Sequence, residues 1–90
     1  MNGCITTDEN YQIDEIIPKL KAYTTGKVVE KVTCKEKYVL NGDGPKVALL
    51  DLGAKRNIAR SLNERGCDVT VYPALTSAEE ILGSNPDGIM

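Results

Sequence analysis

Three sets of residues in this 90-residue chain have chemistry to offer. They are the thiols of Cys4, Cys34 and Cys67, the carboxylates of Asp51 and Asp87, and the Gly53-Ala54-Lys55-Arg56 stretch with its one glycine and two cations. A thiol becomes a nucleophile where a base or a positive local field holds it as thiolate. The chain contains no His, so the usual base is missing. Cys67 follows Gly66, a glycine placed to end a helix, and the negative end of a helix disfavours a thiolate. Cys4 and Cys34 have no better setting. An odd number of cysteines about thirty residues apart, with no C-x-x-C and no His, fits neither a zinc framework nor a small disulfide scaffold. All three are read as ordinary reduced thiols.

The stretch "LLDLGAKRN", residues 49–57, has the strand, tight turn and helix order in which α/β proteins hold phosphates. A dinucleotide fingerprint needs three glycines, and here only Gly53 is present; no Walker pattern occurs either. Lys55 and Arg56 fall in the first helical turn, where cations oppose the helix dipole by about 0.3–1 kcal/mol each. Two readings follow. Either Gly53–Arg56 meets a nucleotide, an anion or an acidic partner surface, or both cations are solvated and their stems cover apolar surface. Asp51, at the carboxyl end of the strand, reads as a turn or helix-cap carboxylate that accepts from backbone N–H groups. Asp87 precedes the third strand, whereas a receiver-like phosphoacceptor pair needs its Asp at the end of that strand.

These residues need elements to carry them. "KVALLDL" is a continuous apolar run suited to a strand covered on both faces, which implies a parallel sheet. The spacing predicts strands near 46–52, 68–72 and 87–90 and helices near 54–65 and 77–83. Gly66 would cap the first of these helices, and Thr76 or Ser77 with Glu79 and Glu80 would open the second. Such a β-α-β-α-β unit has right-handed crossovers. Upstream, Ile13, Ile16, Ile17 and Leu20 mark an apolar helix face with Thr7 or Asp8 as N-cap. Pro18 should kink that helix, or the helix begins near Ile13 or splits in two. Residues 27–40 read as short helix or strand, and "NGDGP", 41–45, is the densest turn signal and the best boundary.

Composition narrows the function classes. Eleven Lys plus Arg against thirteen Asp plus Glu leave a net charge of −2 with no long block of either sign, which argues against nucleic acid and membrane-surface partners. No apolar run approaches a membrane span and no signal-peptide pattern opens the chain, so a cytoplasmic location is expected. Neither Trp nor Phe is available, so the core must come from Val, Ile, Leu and Ala.

"GPKVALLDLGAKRNIARSLNERGCDVTVYPALTSAEEILGSNPDGIM" resembles the opening of the glutamine amidotransferase domain in carbamoyl-phosphate synthase small chains. "DLGAKRNI", "RGCDVTVYPA" and "NPDGI" carry the match, and "MNGCITTDENY" and "GKVVEKVTCKEKY" extend it upstream. The resemblance implies a partial three-layer, Rossmann-like α/β fold preceded by a helix and an irregular linker, a truncated class I amidotransferase domain. Residues 1–44 would end an N-terminal domain and link it to the domain begun by 45–90. It implies glutamine hydrolysis by a Cys supported by His and Glu, with ammonia passed to a large subunit that uses ATP and its metal to make carbamoyl phosphate for arginine and pyrimidine biosynthesis. The oxyanion segment, the nucleophile and the His/Glu pair would all lie beyond Met90. No catalytic, cofactor-binding or metal-binding residue is therefore expected within residues 1–90, which are read as an internal fragment.

Overall fold

A computed structural model describes all 90 residues. Its centre is the strand β2 (Lys46–Asp51), whose successive side chains point to opposite faces. On one face Leu49 meets Val69 and Val71 of β3 (Asp68–Pro73) and Ala59 of the helix α3 (Arg56–Asn63). On the other, Ala48 meets Tyr72 and Ile81, the latter on the helix α4 (Ala78–Gly83). A helix on each side of the sheet makes three layers, and this explains why "VALL" is apolar without alternation. Only eight residues are buried, so each of the two small clusters carries a large share of the stability.

The β2–β3 pair is parallel, in register from Lys46 opposite Asp68 to Asp51 opposite Pro73. On the other side of β2 lies β4 (Gly88–Ile89), also parallel, with Val47 opposite Gly88. The expected fully parallel sheet is corrected at one edge. Tyr38–Leu40 form a further strand, β1, antiparallel to β3, and the sheet is mixed with order β1-β3-β2-β4. An antiparallel edge strand on an otherwise parallel sheet is a common arrangement. Residues 27–40, read as helix or strand, contain both: α2 (Val29–Val32) is a single turn of helix, and β1 follows it.

The turn signal at 41–45 takes the chain from β1 across the start of β3 into β2. The crossing is tight. A Cβ on Gly42 would collide with the Cys67 carbonyl oxygen, and one on Gly44 would stand 2.8 Å from that of Gly66. The Gly44 N–H donates to the Gly66 carbonyl at 2.8 Å, and Asn63 Nδ2 donates to the carbonyls of Leu40, Asn41 and Cys67. Gly66 is the helix-ending residue that its place in the sequence implied. Its φ is +90°, its N–H bonds to the Asn63 carbonyl at 2.8 Å, and the Cys67 N–H reaches the Leu62 carbonyl at 3.2 Å, a Schellman pair. Ser77 caps α4, its hydroxyl accepting from the Glu80 N–H at 3.2 Å.

At the N-terminus a single helix, α1 (Ile13–Ala22), runs through Pro18. The expected cap at Thr7 or Asp8 is not used. Asp8 instead closes its own turn, accepting from the Asn10 N–H at 2.9 Å, and Gln12 precedes the helix without a side-chain cap. Asn2 Nδ2 folds the first residues back onto the end of α1, donating to the carbonyls of Leu20 at 2.7 Å and Tyr23 at 2.9 Å. No α1 residue is buried, and the molecule is elongated, 60 × 27 × 19 Å.

The 41–45 crossing makes a direct prediction. Gly42→Ala, forced against backbone that has nowhere to go, should lower stability by about 1–3 kcal/mol in urea unfolding. Gly83→Ala, where a Cβ meets nothing within 4 Å, should be neutral or stabilising. Equal effects of the two substitutions would contradict the crossing.

Candidate functional site

In an open α/β sheet the ligand crevice forms outside the carboxyl ends of the strands, where consecutive connections leave in opposite directions. Here β2 is flanked by β3 on one side and β4 on the other, so that point is the loop after β2, Leu52–Lys55, beside β4. Gly53 adopts φ +105°, a conformation that favours glycine, and a Cβ there would sit 2.9 Å from Val32 Cγ2.

Asp51 ends the strand and is 92% shielded from solvent. Its Oδ1 accepts from the Gly53 N–H at 2.9 Å and the Ala54 N–H at 2.7 Å, while Oδ2 accepts from the Cys34 N–H at 2.7 Å. Burial pushes the carboxyl up, but the hydrogen bonds from Ala54, Gly53 and Cys34 outweigh it and hold the group below its ordinary value of 3.8. The turn-carboxylate reading of Asp51 is borne out. What sequence reasoning missed is the third donor: a backbone amide seventeen residues upstream, which no side-chain pattern advertises. The Cys34 thiol beside it is pushed up, first by burial and then by the negative charge of Asp51, so it is held as thiol.

Of the other residues singled out, Arg56 and Cys34 line one groove with Asp51 and Ala54, and the rest lie elsewhere. Lys55 and Arg56 are exposed and form no ion pair. Lys55 precedes α3 as its N-cap, giving its carbonyl to the Ile58 N–H at 2.8 Å. Arg56 lines a groove of about 560 Å3 between α3 and residues 32–40, together with Lys35, Tyr38 and Arg60. Cys67 lies at the far end of α3, partly buried against the Leu49 cluster, and Cys4 is exposed in the N-terminal segment. Asp87 stands at the opposite edge of the sheet, accepting from the Lys46 N–H at 2.8 Å, which rules out a pair with Asp51. No group of three or more His, Cys, Asp or Glu side chains is arranged to hold a metal. No helix is long and apolar enough to cross a membrane.

The loop amides of Gly53 and Ala54 are the donors that would cradle a phosphate, and the chain's own carboxylate already occupies them. An incoming anion would have to displace a buried, charge-assisted network.

Comparison with known proteins bears out the resemblance read in "DLGAKRNI" and "NPDGI". No protein-family model matches the chain. The carbamoyl phosphate synthase small chain of Clostridium perfringens is 44% identical over 87 residues, covering 97% of this chain and 25% of that protein. The small chain of Staphylococcus epidermidis is 51% identical over 85 residues, 93% of this chain and 23% of that one. For Symbiobacterium thermophilum the figures are 42% over 79 residues, 88% and 22%. The chain is thus homologous to a segment of carbamoyl phosphate synthase small chains and spans about a quarter of the length of the relatives it matches.

Asp51→Ala leaves three donors without their acceptor and should cost about 3 kcal/mol or more at neutral pH, read from urea unfolding. The pH dependence has a definite sign. A carboxylate with a depressed folded pKa stabilises fully above its ordinary value of 3.8 and loses that contribution as pH falls through the folded pKa. The stability gap between the unsubstituted chain and Asp51→Ala should therefore be constant from pH 5 to 7 and narrow below pH 4. A gap that widens on acidification would contradict the network.

Proposed function

We propose that this chain, homologous to a quarter of the carbamoyl phosphate synthase small chain, carries the interdomain link and the first β-α-β-α-β unit of its class I glutamine amidotransferase domain. On this reading residues 1–44 close an N-terminal domain and 45–90 open the amidotransferase domain. The whole small chain hydrolyses glutamine in the cytoplasm and delivers ammonia to a large subunit. That subunit combines it with bicarbonate in an ATP- and metal-dependent reaction, supplying carbamoyl phosphate for arginine and pyrimidine biosynthesis. The observation that carries the reading is the 44% identity across 97% of the chain. The topology supports it: β2 and β4 leave a crevice edge at which later segments of an α/β domain can place catalytic groups.

Residues 1–90 supply scaffold rather than chemistry. Amide hydrolysis through a thioester needs a thiolate, a base and donors aimed at the oxyanion. The chain has no His, the Cys34 thiol is held protonated, and Cys67 lies beyond the carboxyl end of α3. The competing reading is a free-standing half-Rossmann module that takes a nucleotide or anion at Gly53–Arg56. It is weakened by the Asp51 carboxylate that fills the loop amides.

Residues 1–90 should release no ammonia from glutamine above background, and Cys67→Ser should leave that null result unchanged. A small chain extended through the downstream Cys and His/Glu segments and paired with its large subunit should turn glutamine over. Ammonia release by the 90-residue chain that vanishes with Cys67→Ser would overturn the assignment. In the same preparation, millimolar inorganic phosphate should leave the amide resonances of Gly53, Ala54 and Arg56 in place; saturable shifts there would favour the anion-binding module.

A further inference from the structure

Residues 32–34, the last residue of α2 and the two that follow it, touch both loops that leave the carboxyl ends of β2 and β3. The Cys34 N–H donates to Asp51 Oδ2 at 2.7 Å. One residue earlier, Thr33 Oγ1 accepts from the Ala74 N–H at 2.9 Å, in the loop between β3 and α4. Before that, the Val32 methyl fills the space a side chain on Gly53 would need. The Cys34 side chain packs against the Leu49 cluster, which anchors the segment to the core. Three consecutive residues thus make three separate attachments across the edge where open α/β sheets bind ligands.

We propose that residues 32–34 are a positioning strap that fixes the Leu52–Lys55 loop and the Ala74–Ser77 loop relative to each other. Asp51 and Thr33 are its two ties. In the catalytic setting, which rests on the amidotransferase reading above, the strap sets the shape of the crevice wall supplied by this segment and thereby the rate of glutamine hydrolysis. None of its residues touches the reacting atoms. Small displacements of such supports are costly because the reacting geometry tolerates little error.

Two substitutions cut the ties without emptying the core. Asp51→Asn keeps one carbonyl oxygen for the Gly53 and Ala54 amides and places an NH2 where the Cys34 N–H needs an acceptor. Thr33→Val removes the acceptor of the Ala74 N–H at constant shape, and Thr33→Ser restores it. In the 90-residue chain, amide hydrogen exchange should speed up about tenfold or more at Cys34 in Asp51→Asn, and at Ala74 in the same variant, because the ties share one strap. Ala74 should exchange fast in Thr33→Val and slowly in Thr33→Ser. An Ala74 amide that stays protected in Asp51→Asn would overturn the coupling, and Thr33→Val decides the matter should Asp51→Asn fail to fold.

The functional arm uses the whole small chain assembled with its large subunit. Both severing variants should lower kcat for glutamine about tenfold with KM within twofold. Thr33→Ser should match the unsubstituted enzyme, and carbamoyl phosphate synthesis from added ammonia should be unchanged. Freed amides with an unchanged kcat would overturn the positioning role. If the unsubstituted assembly releases no ammonia from glutamine, the amidotransferase reading falls and the positioning role with it, while the exchange result still decides the strap.

Discussion

The Asp51 carboxylate gathers two amides from the loop that follows it and a third from seventeen residues upstream, and the carboxyl edge of the sheet takes its shape from that exchange. A buried anion is very costly unless it is fully bonded, and backbone N–H groups buried unpaired carry a smaller penalty of their own. Each solves the other's problem. The loop can turn sharply at Gly53, which frees its amides from any ladder, because a carboxylate is present to receive them. Residues 32–34 can cross over that loop because the Cys34 N–H finds an acceptor there.

The two-faced burial of β2 follows from the same geometry. A strand that carries Ala48 on one face and Leu49 on the other must have a helix on each side, so the chain leaves β2 to one side for α3 and β3 and returns across it for β4. That reversal puts the loop after β2 at the switch point of the sheet. The buried carboxylate, the glycine turn and the crevice edge therefore coincide because one strand is central to the sheet, without any residue in the loop needing to be catalytic.

Much of this was legible in the sequence. The apolar run of β2, the Schellman glycine Gly66 and the Ser77 cap are local features, set by side-chain periodicity and by backbone preference within a few residues. What escaped was long-range. Tyr38–Leu40 is too short to show alternation, and it is a strand because β3 offers an open edge and the Gly42–Gly44 crossing delivers the chain to it. Thr33 and Cys34 matter through a hydroxyl and an amide whose partners lie forty-one and seventeen residues away. No composition or spacing rule encodes such pairs. The resemblance in "DLGAKRNI" and "NPDGI" reached the family because it uses residue identities that physical periodicity leaves free.

The two cations at the start of α3 close the account. Lys55 and Arg56 stand at the positive end of a helix whose first turn holds no acid, an arrangement that looks unfavourable when judged on the helix alone. The compensating anion is not in the helix. Asp51 is bonded to the amides of Gly53 and Ala54, immediately before the Lys55 N-cap, and it brings its full negative charge to that end of the dipole from a buried position where screening is weak. A carboxylate four residues upstream of the cap serves the helix as an acid in its first turn would, while its second oxygen holds the Cys34 amide. The exposed cations then need no ligand to account for them: the charge that balances this end of α3 is built into the strand that precedes it.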